Sequence, residues 1–175
     1  MKIYHFSGSR SESETFFTES LTDYIETSGL KIPASALGEV GRGPYGKPYF
    51  TDPAMEGILF SRSHTKGHEI VCFSEKEIGA DCENTDARPG IEHRYTNIAG
   101  RYFTDEEQTY IEGSVDRFFE VWTAKEAYMK YTGKGFAEGF RSFSVLDLPG
   151  VIIETGRVKG APHVIYSVCT AGERQ

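Results

Sequence analysis

The sequence predicts an α+β protein. Strand-like and helical stretches are mixed without strict strand-helix-strand alternation, the runs at 58–61 and 69–73 read as a hairpin, and one strong amphipathic helix covers 115–131. At 175 residues the chain can bury a sizeable core as one compact domain or two tightly joined halves. Its 38% hydrophobic and 13% aromatic content excludes a disordered or collagen-like chain.

Taken in order, Lys2 to Phe6 is a β-branched and aromatic run read as an edge strand, punctuated by Ser7-Gly8-Ser9. Ser11 and Glu14 have the spacing of a capping box. Phe17, Leu21, Tyr24 and Ile25 then follow at helical spacing, with Gly29 as the stop. Between Pro33 and Pro53 the chain is rich in Gly and Pro, centred on Gly41 to Pro48, which predicts a structured loop without regular elements. Ile58 to Ser61 and Glu69 to Phe73 are strands joined through Arg62 to His68, and Ile78 to Glu83 is a third. Ile91 to Ala99 and Thr104 to Glu112 are short helices, the second opened by a capping box of Thr104 with Glu107. In Val115 to Tyr131 the residues Val115, Phe118, Phe119, Trp122 and Met129 form one stripe, ended by Gly133. Phe143 to Leu146, Val151 to Ile153 and His163 to Cys169 close the chain as strands.

Nineteen basic against 26 acidic residues leave a net charge of −7, which argues against a broad nucleic-acid footprint or an anionic membrane surface. No apolar run approaches the ~20 residues of a membrane span, and Met1 to Glu14 lacks the apolar stretch of a signal peptide. Cys72, Cys82 and Cys169 are too few and too dispersed for a disulfide framework, so they read as small buried residues in a reducing compartment. The expectation is a cytoplasmic protein with neither nucleic acid nor membrane as partner.

Two clusters carry chemistry. The period of a strand places Asp81 and Glu83 on one face, about 7 Å apart, with Ala80 and Cys82 on the other. Paired carboxylates suit Mg²⁺, although an isolated pair of this kind also describes a strand running into solvent. Glu126 lies four residues after Trp122, at the edge of the apolar stripe, with Lys130 one turn beyond. Glu126 and Lys130 are either a solvated i,i+4 pair or, with Lys125 and Lys134, part of a metal-plus-phosphate site. A Gly-rich loop carrying Lys47 can present a cation and backbone amides to phosphate, yet it does not follow the P-loop pattern. His64 and His68 straddle an expected turn, which makes a helical zinc pair a poor reading.

The order GKPYF at 46–50, SH at 63–64, IGADCE at 78–83, RYFTDEE at 101–107, WTAKEAYMK at 122–130 and GKGF at 133–136 resembles the 4′-phosphopantetheinyl transferase superfamily, in particular its larger type that activates peptide synthetases. The resemblance covers roughly residues 40 to 170. It implies transfer of the phosphopantetheine arm of coenzyme A to a serine of an acyl or peptidyl carrier protein, with release of 3′,5′-ADP. It also implies Mg²⁺ at Asp81, Glu83 and Glu126. Glu126 would in addition take the serine proton, directly or through water. Lys125 and Lys130 match positions near the phosphates, and Lys47, Pro48, Ser63 and His64 match positions that contact coenzyme A, the histidine beside its 3′-phosphate. Glu107 matches an acid near the site, while its place in a capping box is an equally good reason for it. The implied fold is two similar α+β halves about a pseudo-twofold, here 1–76 and 77–175 with the first half shortened, in a monomer. One departure stands out: Ser11 to Leu30 contains no Arg or Lys, where the family carries a basic helix. Lys31 or Arg42 are candidate substitutes, and a member that binds coenzyme A or a nucleotide without transfer is the alternative.

Overall fold

A computed structural model of the protein describes residues 1–33, 36, 39–86, 92–135 and 139–172. Ile91, expected to open a helix, and Phe136 of the GKGF motif lie outside the described residues.

The first sheet has strand order β1-β5-β4, with β1 Lys2–Ser7 on the edge, β4 Leu59–Thr65 opposite and β5 His68–Ser74 between them, all antiparallel. Helix α1, Ser13–Ser28, covers one face and buries Phe17, Leu21, Tyr24 and Ile25, the four residues expected from its periodicity. Gly29 ends it in the left-handed region at φ 71°, a conformation that costs glycine little. The capping box stands two residues earlier than the sequence suggested: Ser9 and Glu12 form it around a single 3₁₀ turn, Arg10–Glu12, and the chain enters α1 from there.

The described part of 33–53, from 39 onward, is more regular than expected, while 34, 35, 37 and 38 lie outside the described residues. β2 Val40–Arg42 and β3 Pro48–Phe50 pair antiparallel around the Gly-rich turn. The Gly43 amide bonds the Lys47 carbonyl at 2.9 Å, and Gly46 sits at φ +85°. Three-residue strands are too short to show in a periodicity. The hairpin of β4 and β5 is likewise longer than expected. Its connector is only Lys66-Gly67, so Arg62, His64 and His68 lie in strands and His64 pairs with Glu69.

The second sheet has order β6-β8-β7, comprising β6 Ile78–Asn84, β7 Val151–Val158 and β8 Ala161–Ala171. Across it lies α4, Val115–Thr132, capped by Ser114 and stopped by Gly133 at φ 67°. Packed outside α4 are α2 Glu92–Tyr102 and α3 Asp105–Ile111, the latter opened by the expected Thr104–Glu107 box. α4 approaches β6 so closely that a Cβ on Gly79 would lie 2.0 Å from the Ala127 carbonyl oxygen. The expected strand at Phe143 to Leu146 is irregular. Its backbone groups go to a buried ion pair instead of a ladder, as described below.

Three apolar clusters fill the interior: one under α1, one between the sheets, and one among α2, α3 and α4. β5 serves two of them by its period of two, Val71 and Phe73 facing α1 while Ile70 and Cys72 face the second sheet. The three cysteines are buried and free, and burial pushes each thiol up to about 12. Among the described residues no helix is long and apolar enough to cross a membrane.

Candidate active site

A cleft of about 1210 Å³ opens between α1, the β2–β3 turn, β4 and the C-terminal half of α4. Ser63, Glu126 and Lys130 line it, as do Lys47, Pro48 and His64. Behind them lies β6. Its alternation holds as the sequence predicts: Ala80 and Cys82 enter the core between the sheets, and Asp81 and Glu83 take the opposite face.

Asp81 is the centre of the arrangement. It is 6% exposed, and its Oδ1 accepts from Lys130 Nζ at 2.8 Å and from Ser63 Oγ at 2.7 Å. Its Oδ2 is buried without a hydrogen-bond partner, the one such side-chain atom among the described residues. A buried carboxylate oxygen left alone is costly unless a ligand meets it. Glu126, one turn before Lys130 on α4, shares this field: burial and then the Asp81 charge push its carboxyl up to about 7, against the pull of Lys130. Burial and Asp81 also raise Glu83, which Thr65 and Trp122 partly offset. Three crowded carboxylates answered by one lysine leave negative charge in excess.

That donor set fits a hard divalent cation, which uses one or two carboxylates and completes its shell with water and phosphate oxygens. The orphaned Asp81 Oδ2 is the atom that most needs one. Among the described residues no three His, Cys, Asp or Glu side chains are grouped so as to hold a metal ion as they stand, and Lys130 takes the other Asp81 oxygen, so a cation here would draw on one or two of these carboxylates with water and phosphate oxygens.

Other expected site residues are placed differently. Lys125 is fully buried and points away from the cleft: its Nζ meets Glu107 Oε2 at 2.9 Å and donates at 2.6 Å to the carbonyls of Phe140 and Phe143. Burial lowers its pKa despite the Glu107 charge. Glu107, also fully buried, accepts from the Thr104 and Val145 amides at 2.8 Å each. The pair pins the segment 140–145 in place of the strand expected there. Neither residue reaches the cluster at Asp81. Helical spacing carried the signal for Lys125, which lies four residues after Val121 and seven after Phe118 on the buried stripe. Lys47 lines the cleft with its stem, while its ammonium donates to the Tyr131 carbonyl at 2.7 Å and pairs with Glu77. It ties the GKP turn to the end of α4. Ser63 faces Asp81 and His64 is exposed on the cleft wall, their directions set by alternation along β4.

Sequence reasoning missed two groups. Arg62 sits over the Phe17 ring, bonds Ser13 and pairs with Glu14 and the buried Glu69, clamping the start of α1 to the sheet. His5, His68 and His163, from β1, β5 and β8, form a chain with ring nitrogens 3.2 Å apart at both steps. Nothing in the spacing of these histidines announces that chain. Arg10, in the first 3₁₀ turn, also lines the cleft.

An α+β fold with an acidic, lysine-capped pocket at the edge of a large cleft defines the class of protein. The chain belongs to the 4′-phosphopantetheinyl transferase superfamily, whose family model matches residues 77–174. It is 36% identical over 107 residues to a 4′-phosphopantetheinyl transferase of Bacillus subtilis, a match covering 58% of this chain and 44% of that protein. It is 33% identical over 129 residues to the 4′-phosphopantetheinyl transferase HetI of a Nostoc species, covering 64% and 53% respectively. Against the 4′-phosphopantetheinyl transferase Sfp of Bacillus subtilis strain 168 the identity is 33% over 107 residues, 58% of this chain and 44% of that one. The chain thus spans about half the length of the curated relatives it matches.

Proposed function

We propose that this protein moves the 4′-phosphopantetheine arm of coenzyme A onto a serine of an acyl or peptidyl carrier protein and releases 3′,5′-ADP. The observation that carries the reading is Asp81, a buried carboxylate held by Ser63 and Lys130 with its second oxygen unpartnered, beside Glu83 and Glu126 at the cleft of about 1210 Å³. Asp81, Glu83 and Glu126 would hold a divalent cation, taken as magnesium, which when bound neutralises pyrophosphate charge and makes the phosphorus a better electrophile. Lys130 borders the same space and offsets charge on the phosphate oxygens. Glu126 lines the cleft where a carrier serine would enter and accepts its proton, directly or through water. The serine oxygen then bonds to phosphorus as the bond from phosphorus to the bridging oxygen breaks, and 3′,5′-ADP leaves with that electron pair. Pro48, His64 and the stem of Lys47 form the wall for the donor. Lys125 and Glu107 serve as scaffold beneath α4. The same proposal takes 1–76 and 77–175 as two halves about a pseudo-twofold, in a cytoplasmic monomer.

A second reading, a member that binds coenzyme A or a nucleotide without transfer, is favoured by the absence of basic residues from 11–30 and by the engagement of the Lys47 ammonium with Tyr131 and Glu77. Mass spectrometry of an apo carrier protein incubated with this chain, coenzyme A and Mg²⁺ separates the two. The expected result is a gain of one phosphopantetheine, lost with EDTA and in Asp81→Ala. An unmodified carrier, with coenzyme A still raising the melting temperature of the chain, selects the second reading. No modification and no binding would overturn both.

A further inference from the structure

β4 and β6 lie beside one another where the two larger sheets meet, yet they belong to different sheets and share no ladder. Side-chain hydroxyls take the place of that ladder. Ser61 Oγ accepts from the Ala80 amide at 2.8 Å and Thr65 Oγ1 from the Asn84 amide at 3.1 Å, while the Cys82 thiol faces the Ser63 carbonyl at 3.5 Å. Each contact spans 19 residues, so the strands run parallel in constant register with a side chain between them.

The same face of β4 meets the acids. Ser63 Oγ donates to Asp81 Oδ1 at 2.7 Å, and Thr65 Oγ1 approaches Glu83 Oε2 at 3.4 Å. Ser63 is 7% exposed. A serine hydroxyl carries a single proton, and here Asp81 takes it.

We infer that Ser63, supported by Thr65, is a positioning residue for the carboxylates of β6, so that its hydroxyl acts on the cation site and not on the coenzyme A donor. The resemblance assigned Ser63 to the donor. Its geometry assigns it otherwise: with Lys130 on the same oxygen, the Ser63 bond fixes the rotation of the Asp81 carboxylate and leaves Oδ2 as the free ligand atom. Ser61 performs only the bridging part of this work, since it holds an amide of β6 and no acid. The inference rests on the reading of Asp81, Glu83 and Glu126 as cation ligands.

The test is Mn²⁺ titration of the full chain without coenzyme A, followed by electron paramagnetic resonance, beside coenzyme A binding measured in EDTA. Partners that orient a metal ligand typically matter 10–100-fold in affinity, so Ser63→Ala should weaken Mn²⁺ by about tenfold or more and leave coenzyme A binding unchanged. Thr65→Val should weaken Mn²⁺ less, in keeping with its longer contact. Ser63→Thr, which keeps a hydroxyl, should recover most of the loss, and Ser61→Ala should bind Mn²⁺ as the parent does while melting lower. If Ser63→Ala does not fold, Ser63→Cys, a near-isosteric but weaker donor, carries the comparison. Parental Mn²⁺ affinity in the Ser63 variants, with or without weakened coenzyme A binding, overturns this inference alone. A parent chain that binds no Mn²⁺ overturns it together with the cation reading.

Discussion

Removing the Lys125 ammonium separates a scaffold role from a phosphate-binding role, because the two predict opposite readouts. In Lys125→Met the side chain keeps its volume and loses its charge. Glu107 then remains with no exposure, holding the Thr104 and Val145 amides but no cation, and the carbonyls of Phe140 and Phe143 lose their shared donor. Breaking one side of a fully buried pair strands a charge and costs about 3–5 kcal/mol. For a chain of this size each kcal/mol moves the melting temperature by about 2–4 °C, so calorimetry should show a fall of roughly 6–20 °C. Because a buried pair removed whole is often nearly neutral, Lys125→Met/Glu107→Gln should recover most of the loss, and the cycle should return a clear coupling term. Coenzyme A binding, compared well below each melting point, should stay near the parental value. A Lys125→Met protein that melts with the parent but binds coenzyme A about tenfold more weakly, roughly 1.4 kcal/mol, would refute the scaffold reading and return Lys125 to the phosphates.

Gly79→Ala should destabilise by about 3 kcal/mol or more, since the new Cβ falls 2.0 Å from the Ala127 oxygen and 2.2 Å from the Tyr131 nitrogen, and backbone on α4 cannot yield as a side chain can; a chemical-denaturation midpoint equal to the parent's would show that α4 does not press on β6. The imidazoles of His5 and His68 are lowered, first by burial and then by their neighbours in the chain, with Asp86 opposing for His68. Folding therefore excludes protons that these two histidines bind in the unfolded chain below about pH 6.5, so their contribution to stability is complete above that value and is lost as pH falls through the lowered values. The Glu126 carboxyl, raised to about 7, runs the other way in the same window, so the check is the difference between the parent and His68→Gln: a stability gap that does not change between about pH 7 and pH 5 would contradict the histidine reading. Arg10 is exposed and lines the cleft beside a helix without a single Lys or Arg, and under the proposed function it is the residue we assign to the 3′-phosphate. Arg10→Ala should reduce the preference for coenzyme A over its 3′-dephospho form by about one to two decades, the worth of a charge-assisted bond of 1.5–3 kcal/mol, and an unchanged ratio of specificity constants would place that phosphate elsewhere.

The parts of this protein readable from the sequence are those governed by local period. A strand alternates by two, so Asp81 and Glu83 had to share a face opposite Ala80 and Cys82. A helix repeats near 3.6, so α4 and the buried face of α1 followed from the spacing of their apolar residues. Glycine stops at 29 and 133 and the Thr104–Glu107 box are equally local, each satisfied within one turn of backbone. The ordered motifs carried family membership because several short matches in one order constrain far more than any one of them.

What tertiary structure decided is which partner each polar group finds. Lys125 and Glu126 are neighbours in sequence, and a rotation of about 100° along α4 sends one into the interior and the other to the cleft. Whether Lys125 was a phosphate ligand or half of a buried pair depended on Glu107 and the segment 140–145 arriving beneath it. The same holds for the hydroxyls of Ser61, Ser63 and Thr65. Alternation put them on one side of β4, but only the docking of the second sheet supplied the amides and carboxylates they serve. The β2–β3 hairpin and the histidine chain have the same origin, since three-residue strands leave no periodicity and imidazoles at positions 5, 68 and 163 meet only when β1, β5 and β8 are packed together. Period is a property of the backbone and is written locally, whereas the satisfaction of a buried charge or hydroxyl depends on atoms far away in the chain, which is why the elements were legible and their polar pairings were not.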